Sequence, residues 1–216
     1  IVWLLENDVD PGVICWVRPR DPWMFNRAAV QPDPIINLST AADILEAGCE
    51  ATSPDDLFLH MEAAGVMLRV DPQVTPSMAK TPTLAHWELD RLRSIENVVR
   101  LGHVRHVERG RLVCVDGEAA IDRDALVVHC AASGLRYRPL LPVWGSESIT
   151  LQCVATGPIF GAALAGYVEA TRANDAEKNQ LCPPHSLPNT PVDWPRAIVQ
   201  GARGSQALAM EADVKH

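Results

Sequence analysis

Ile14-Cys15-Trp16-Val17-Arg18-Pro19-Arg20-Asp21-Pro22-Trp23 reads as a short apolar strand that ends abruptly in two arginines. Ahead of it, Ile1 to Glu6 reads as an apolar helix and Asp8 to Gly12 as a turn, with Pro11-Gly12 as the chain reversal. Helix, turn, strand and basic residues at the strand's carboxyl end are the second half of a dinucleotide-binding βαβ unit. There the end of the second strand reads the adenosine ribose: an acid binds the 2′-hydroxyl of NAD, and an arginine accommodates the 2′-phosphate of NADP. Arg18 and Arg20 therefore predict NADP. The first half of the unit is missing, because no GxGxxG or GxGxxA occurs anywhere in the sequence. An apolar start without Met, where that helix should already be running, is the pattern expected of a fragment; a mature chain beginning at Ile1 is the other reading.

The totals set outer bounds. The 216 residues suffice for one large domain or two small ones. Apolar residues make up 47% and charged residues 21%, an ordinary globular balance. A net charge of −8 and a pI near 5.3 argue against nucleic acid and anionic membrane as partners, since both need a basic face. The six cysteines form no CxxC pair, and Cys15 and Cys130 lie in apolar runs as small buried hydrophobes. With no signal peptide and no apolar run of transmembrane length, the expectation is a cytoplasmic chain.

Outward from the quoted stretch, Val13 to Val17 is predicted as a parallel strand buried on both faces. Asp21-Pro22 is a helix-start signal. Arg27 to Asn37 is an ordered loop, and Ser39 or Thr40 caps a helix that Gly48 stops. Ser53-Pro54 opens a helix through Ala64, with acids in its first turn. Val66 to Val70 is a strand, and Pro72 to Pro82 a proline-rich connection. Thr83 caps a helix to about Glu96, with Leu84, Trp87, Leu92 and Ile95 inward and the pairs Glu88/Arg91 and Asp90/Arg93 outward. This makes residues 38–96 a helical insertion in a nucleotide-binding domain.

Val98 to Leu101, Val104 to Glu108 and Arg111 to Asp116 then predict a small antiparallel meander over about 97–116, with Asp116-Gly117 as a hairpin turn. Ala125 to Cys130 reads as another buried strand, running into Ala131-Ala132-Ser133-Gly134. Ile149 to Val154 is a last strand, and Thr156 to Thr171 a helix rich in small residues. Asp175 to Leu181 is a short polar helix. Prolines 183, 184, 188 and 191 stiffen a linker, and two weak helices close the sequence. The fold class is α/β: a partial Rossmann-type domain over 1–130, a return segment over 131–182, and a C-terminal linker and helical tail over 183–216.

That order resembles the nicotinamide-binding part and C-terminal return of flavin-containing monooxygenases and pyridine-nucleotide-disulfide reductases, and more closely a bacterial group of FAD/NAD(P)-binding oxidoreductases. The residues carrying the likeness are Trp3 to Glu6, Trp16 to Trp23, Trp87 to Glu96, Leu126 to Gly134, and Leu181 to Pro184. The resemblance implies FAD and NADP as cofactors, hydride transfer from NADPH to the flavin, and oxidation or monooxygenation of a small-molecule substrate. It implies that Ala132, Ser133 and Gly134 form the turn that brings backbone close to the flavin. A tight strand-to-loop turn is the plainer reading of those residues. Such enzymes carry glycine-rich fingerprints that would lie upstream of Ile1.

Each motif has a structural alternative. Arg18 and Arg20 either clamp a phosphate bidentately or stand solvated at a strand end, and as alternating positions they need not share a pocket. Gly157, Gly161 and Gly166 either place a helix N-terminus against the flavin or let the helix pack closely. Pro158 removes one of the N–H groups and favours packing. The seven histidines show no metal spacing, and Ser133 lacks a GxSxG elbow. Two other functions stay open: a non-catalytic remnant, and an NADP- or partner-binding module without flavin.

Overall fold

The computed structural model describes residues 1–130, 139–154 and 158–213, with the side chains of 158–160 excepted. The chain is mixed α/β and divides into two units, Ile1–Ala131 and Ala132–His216. Among the described residues no helix is long and apolar enough to cross a membrane.

The first unit opens with α1 (Val2–Glu6), which packs on α4 (His86–Arg93) and buries Leu5 but leaves Trp3 exposed. Strand β1 is only Trp16–Val17, and Val13 instead ends a 3-10 turn capped by Asp10, whose carboxylate accepts from the Gly12 N–H. β1 is half-buried rather than buried on both faces, because among the described residues it pairs in parallel with β5 (Val98–Val99) and with no second strand. The expected helix at Asp21-Pro22 is absent. The Trp23 N–H donates to the Met78 carbonyl at 2.8 Å, so the chain runs extended into β2 (Met24–Asn26).

β2 is the centre of a second sheet in the order β3-β2-β4, antiparallel to β3 (Met67–Leu68) and parallel to β4 (Thr83–Leu84). Thr83 is therefore a strand residue and not a cap; the Ala85 N–H donates instead to the Glu88 carboxylate at 2.7 Å as α4 begins. Leu89 and Ile95 are buried, whereas Trp87 is exposed. Glu88 pairs with Arg27, and Arg93 donates to the carbonyls of Arg69 and Val70, in place of the expected helix-surface pairs.

Helix α2 starts earlier than expected, at Pro34–Glu50, because the Asp33 side chain accepts from the Ile35 N–H; Gly48 lies inside it. Helix α3 (Pro54–Ala63) begins as its sequence predicts, with Ser53 accepting from the Asp56 N–H, and ends before Gly65 at φ +77°. It lays Phe58 and Met61 on β3 and stacks Phe58 against Trp23, ring centroids 5.3 Å apart.

The antiparallel meander is β6 (Val104–Glu108), β7 (Arg111–Cys114) and β8 (Glu118–Ala120). Val98–Val99 belongs to the parallel pair and not to this meander. Residues 125–130 form no strand. Leu126 is 89% exposed and Cys130 is exposed as well, because no neighbouring strand among the described residues of the unit pairs with them.

The second unit packs α5 (Pro158–Thr171), α6 (Asp175–Leu181) and α7 (Asp193–Ala209) around Val143, Trp144, Val154, Leu164, Val168, Cys182 and Leu208. Burial pushes the Cys182 thiol up to about 11. Residues 149–154 contribute isolated bridges and no strand, and the two expected C-terminal helices are one. A Cβ on Gly161 would stand 2.6 Å from the Val154 carbonyl, so glycine there serves close packing. Glu169 accepts from Trp144 Nε1 at 2.5 Å and from the buried Lys178 at 2.7 Å, joining α5 to α6.

Arg172 pairs with Glu211 at 2.9 Å and Asp213 at 2.8 Å, and the Tyr167 hydroxyl donates to Asp213 at 2.8 Å. Arg172, then Tyr167, hold the Asp213 carboxyl below the usual carboxylate range. A carboxylate with a depressed folded pKa contributes its stability above its unfolded pKa of about 4 and loses it as pH falls toward the folded value. Acid titration from about pH 5 to pH 2 should therefore release the C-terminal segment, seen as lost amide protection, relative to the unstructured rate at each pH, over residues 210–213. Asp213→Asn should remove the pH dependence; a wild-type segment unchanged over that range would contradict it.

Candidate functional site

The arginines after β1 do not share one environment. The Arg18 N–H donates to the Val99 carbonyl at 2.9 Å, which holds the residue at the carboxyl end of both parallel strands. Its side chain turns inward and is 5% exposed, with the guanidinium carbon 4.6 Å from the Trp16 ring centroid. Nη2 lies 3.1 Å from Asp21 Oδ1, an ion pair without the alignment of a hydrogen bond. Nε and Nη1 are buried and have no acceptor among the described residues. Arg20 is half-buried, and its Nη2 reaches Met78 Sδ at 3.4 Å.

Asp21 is 7% exposed and serves two cations. Its Oδ2 accepts from Arg100 Nε at 3.0 Å, and Arg100 Nη2 donates to Asp71 Oδ2 at 2.8 Å. The Asp71 carboxyl lies below its ordinary value, first because it accepts from the Gln73 N–H and then because of Arg100. Burial pulls Arg18 below the usual arginine value, Asp21 opposes this, and the like charge of Arg100 adds to it. Arginine stays protonated at neutral pH even so. The result is a buried cation with two idle donors, beside a second guanidinium, at the carboxyl ends of parallel strands. Such donors are chemically suited to an anion with several acceptor oxygens, because each idle N–H costs free energy until it is met.

Sequence reasoning singled out Arg18 and missed Asp21, Asp71 and Arg100. Arg100 could have been found: Val98-Val99-Arg100 repeats the apolar-apolar-arginine pattern of Trp16-Val17-Arg18. Asp21 was assigned to a helix cap. Ala132, Ser133, Gly134 and Gly157 lie outside the described residues. No group of three or more His, Cys, Asp and Glu able to hold a metal occurs among the described residues.

The second unit carries a groove of about 400 Å³ lined by Ser186, Leu187, Asn189, Asp193, Arg196 and Gln200. Asp193 already accepts from the Thr190 hydroxyl and N–H there, at 2.8 and 2.9 Å. This ties the carboxylate to the start of α7 and leaves the groove a less developed site than the Arg18 cluster.

No family profile and no solved structure matches the chain. Among curated proteins it is similar to uncharacterized proteins of Mycobacterium tuberculosis and Mycobacterium bovis, each 41% identical over 201 residues, an alignment covering 91% of this chain. The chain spans 37% of the length of these relatives.

Proposed function

We propose that the chain is part of an FAD- and NADPH-dependent oxidoreductase, with Arg18 receiving the 2′-phosphate of NADPH. The observation that carries the reading is the pair of unpartnered donors on buried Arg18 at the carboxyl end of β1. In a Rossmann-type sheet that is where the adenosine ribose lies. The parallel pairing of β1 with β5 also agrees with the second and third strands of such a sheet, which lie side by side in the order 3-2-1-4-5-6.

A phosphomonoester fits these residues. Nε and Nη1 have no accessible surface in this arrangement, so the guanidinium would have to turn outward to donate to two of the ester's oxygens, where Arg100 would add positive charge. Asp21 would hold Arg18 in place through their ion pair. Arg18 would hold NADPH, which would supply a hydride to the flavin; with dioxygen as the oxidant the reduced flavin would then oxygenate a small substrate. The flavin contact at Ala132, Ser133 and Gly134 rests on the sequence resemblance.

Trp16 stacks on Arg18 and provides the reporter. Tryptophan fluorescence should show 2′,5′-ADP binding roughly tenfold or more tightly than 5′-AMP, the worth of one charge-assisted contact. Arg18→Lys should narrow that preference while leaving 5′-AMP binding unchanged, because an ammonium cannot reproduce the fork. Equal affinity for the two nucleotides would sink the 2′-phosphate reading.

A further inference from the structure

Helix α2 carries an apolar seam that nothing in its own unit covers. Ile35, Leu38, Ala42, Leu45 and Cys49 recur at spacings of three and four, the a and d positions of a heptad. The three large ones are 75%, 72% and 70% exposed, and Ala42 and Cys49 are exposed too. The opposite face is the one that packs: Ala47 is buried, Ile36 and Ile44 are half-buried, and the Thr40 hydroxyl donates to the Ala29 carbonyl at 2.9 Å. α2 thus uses one face against its neighbours, including α3, and turns a second apolar face to solvent.

We propose that this seam is the interface between two copies of the chain, with the two α2 helices antiparallel about a two-fold axis. The seam is self-complementary in that direction. Pairing each a position with a d position of the other copy sets Ile35 beside Leu45 and Leu38 beside Ala42, and the symmetry repeats both contacts. Large meets small at the centre, which lets the helices approach and interdigitate. A parallel pair would instead oppose Ala42 to Ala42 and leave a gap.

The flanks agree. Pro34, Ala41 and Gly48 on one side carry no charge. On the other side the antiparallel register brings Ser39 near Ser39 of the second copy at the two-fold axis and sets Glu46 level with Pro34, so the exposed glutamates do not face each other. Each two-fold contact appears twice, as an isologous interface requires. Five such residues present on the order of 500 Å² per copy, in the upper half of the range for the largest apolar patch on a typical monomer. Two faces together reach roughly 1,000 Å², the lower bound of a specific association.

Sedimentation velocity on the 216-residue chain tests this, with Leu45→Glu as the variant. Leu45 is mostly exposed, so the variant should keep the wild-type circular dichroism and melting of the monomer. The wild type should sediment as a dimer, and the variant's dissociation constant should rise roughly 30-fold or more, as for loss of a central anchor. In a Cys49→Ser, Cys130→Ser background, Ile35→Cys with Leu45→Cys should give a 35–45 disulfide between chains under mild oxidation. Those positions are about 15 Å apart along one helix and cannot bridge within it. A wild type that stays monomeric overturns the proposal and assigns the seam to a different polypeptide. A dimer indifferent to Leu45→Glu, or 35–35 and 45–45 cross-links, overturns it equally.

Discussion

Asp21→Asn should destabilise the first unit by about 3–5 kcal/mol, the cost of breaking a buried ion pair by removing one partner. Asparagine keeps the shape of the carboxylate and one carbonyl oxygen, so packing is preserved. Among the described residues it removes the only charge within ion-pair distance of Arg18, a residue with two donors already unsatisfied, and one of Arg100's two acids. Arg100 keeps Asp71 at 2.8 Å, but Arg18 becomes a buried cation beside a second cation. Urea unfolding followed through Trp16 and Trp23 measures the loss. Adding Arg18→Met should recover most of it, because the pair is then replaced by an apolar side chain and Arg100 is left with Asp71. A single variant within about 0.5 kcal/mol of wild type would show that the site is more hydrated than its geometry implies.

Phe58→Ala should cost a similar amount, about 3–5 kcal/mol, by a different route. Phe58 is fully buried, and its ring stacks on Trp23 at 5.3 Å with an interplanar angle of 25°. Removing the ring empties the space between α3 and the β3-β2-β4 sheet, where Met61 and Met67 are themselves fully buried. Methionine is the side chain most able to fill such a gap, so the loss should lie toward the lower end. Phe58→Leu, closer in volume, should cost only about 1 kcal/mol. The Trp23 emission should change in both variants. An alanine variant no less stable than the leucine one would mean that the cavity closes fully and that stacking contributes little.

These two sites show unequal legibility in the sequence. The α3 boundaries could be read because Ser53, Pro54 and two acids all act within one turn. The Asp175–Leu181 helix and the meander turn at Asp116-Gly117 were local in the same way. The β2-centred sheet was not legible: Met24, Phe25 and Asn26 follow a helix-start signal. They become a strand through partners more than forty residues later in the chain, at Met67–Leu68 and Thr83–Leu84. Tertiary pairing overrode local propensity there.

The same division holds at the site. Arg18 was visible as a basic residue closing an apolar run. Its burial was not, because it depends on Asp21 turning back onto it and on Arg100 arriving from the end of β5. The extended stretch at 125–130 failed in the opposite sense. Its composition is that of a core strand, yet the unit supplies no ladder for it.

That stretch has a consequence for how the chain behaves in solution. Leu126, Val127 and Val128 are strand formers held open to water, the composition from which intermolecular β-pairing starts. One residue ahead of them, beyond Ala125, stand Asp122, Arg123 and Asp124, three consecutive charges, with Asp124 tied to Arg109 at 2.7 Å. Charges flanking an unavoidable apolar run act as gatekeepers, since stacking two chains in register would bring like charges together. Colloidal stability at this point thus resides in a charged flank of three residues rather than in burial. It weakens as added salt shortens the reach of those charges.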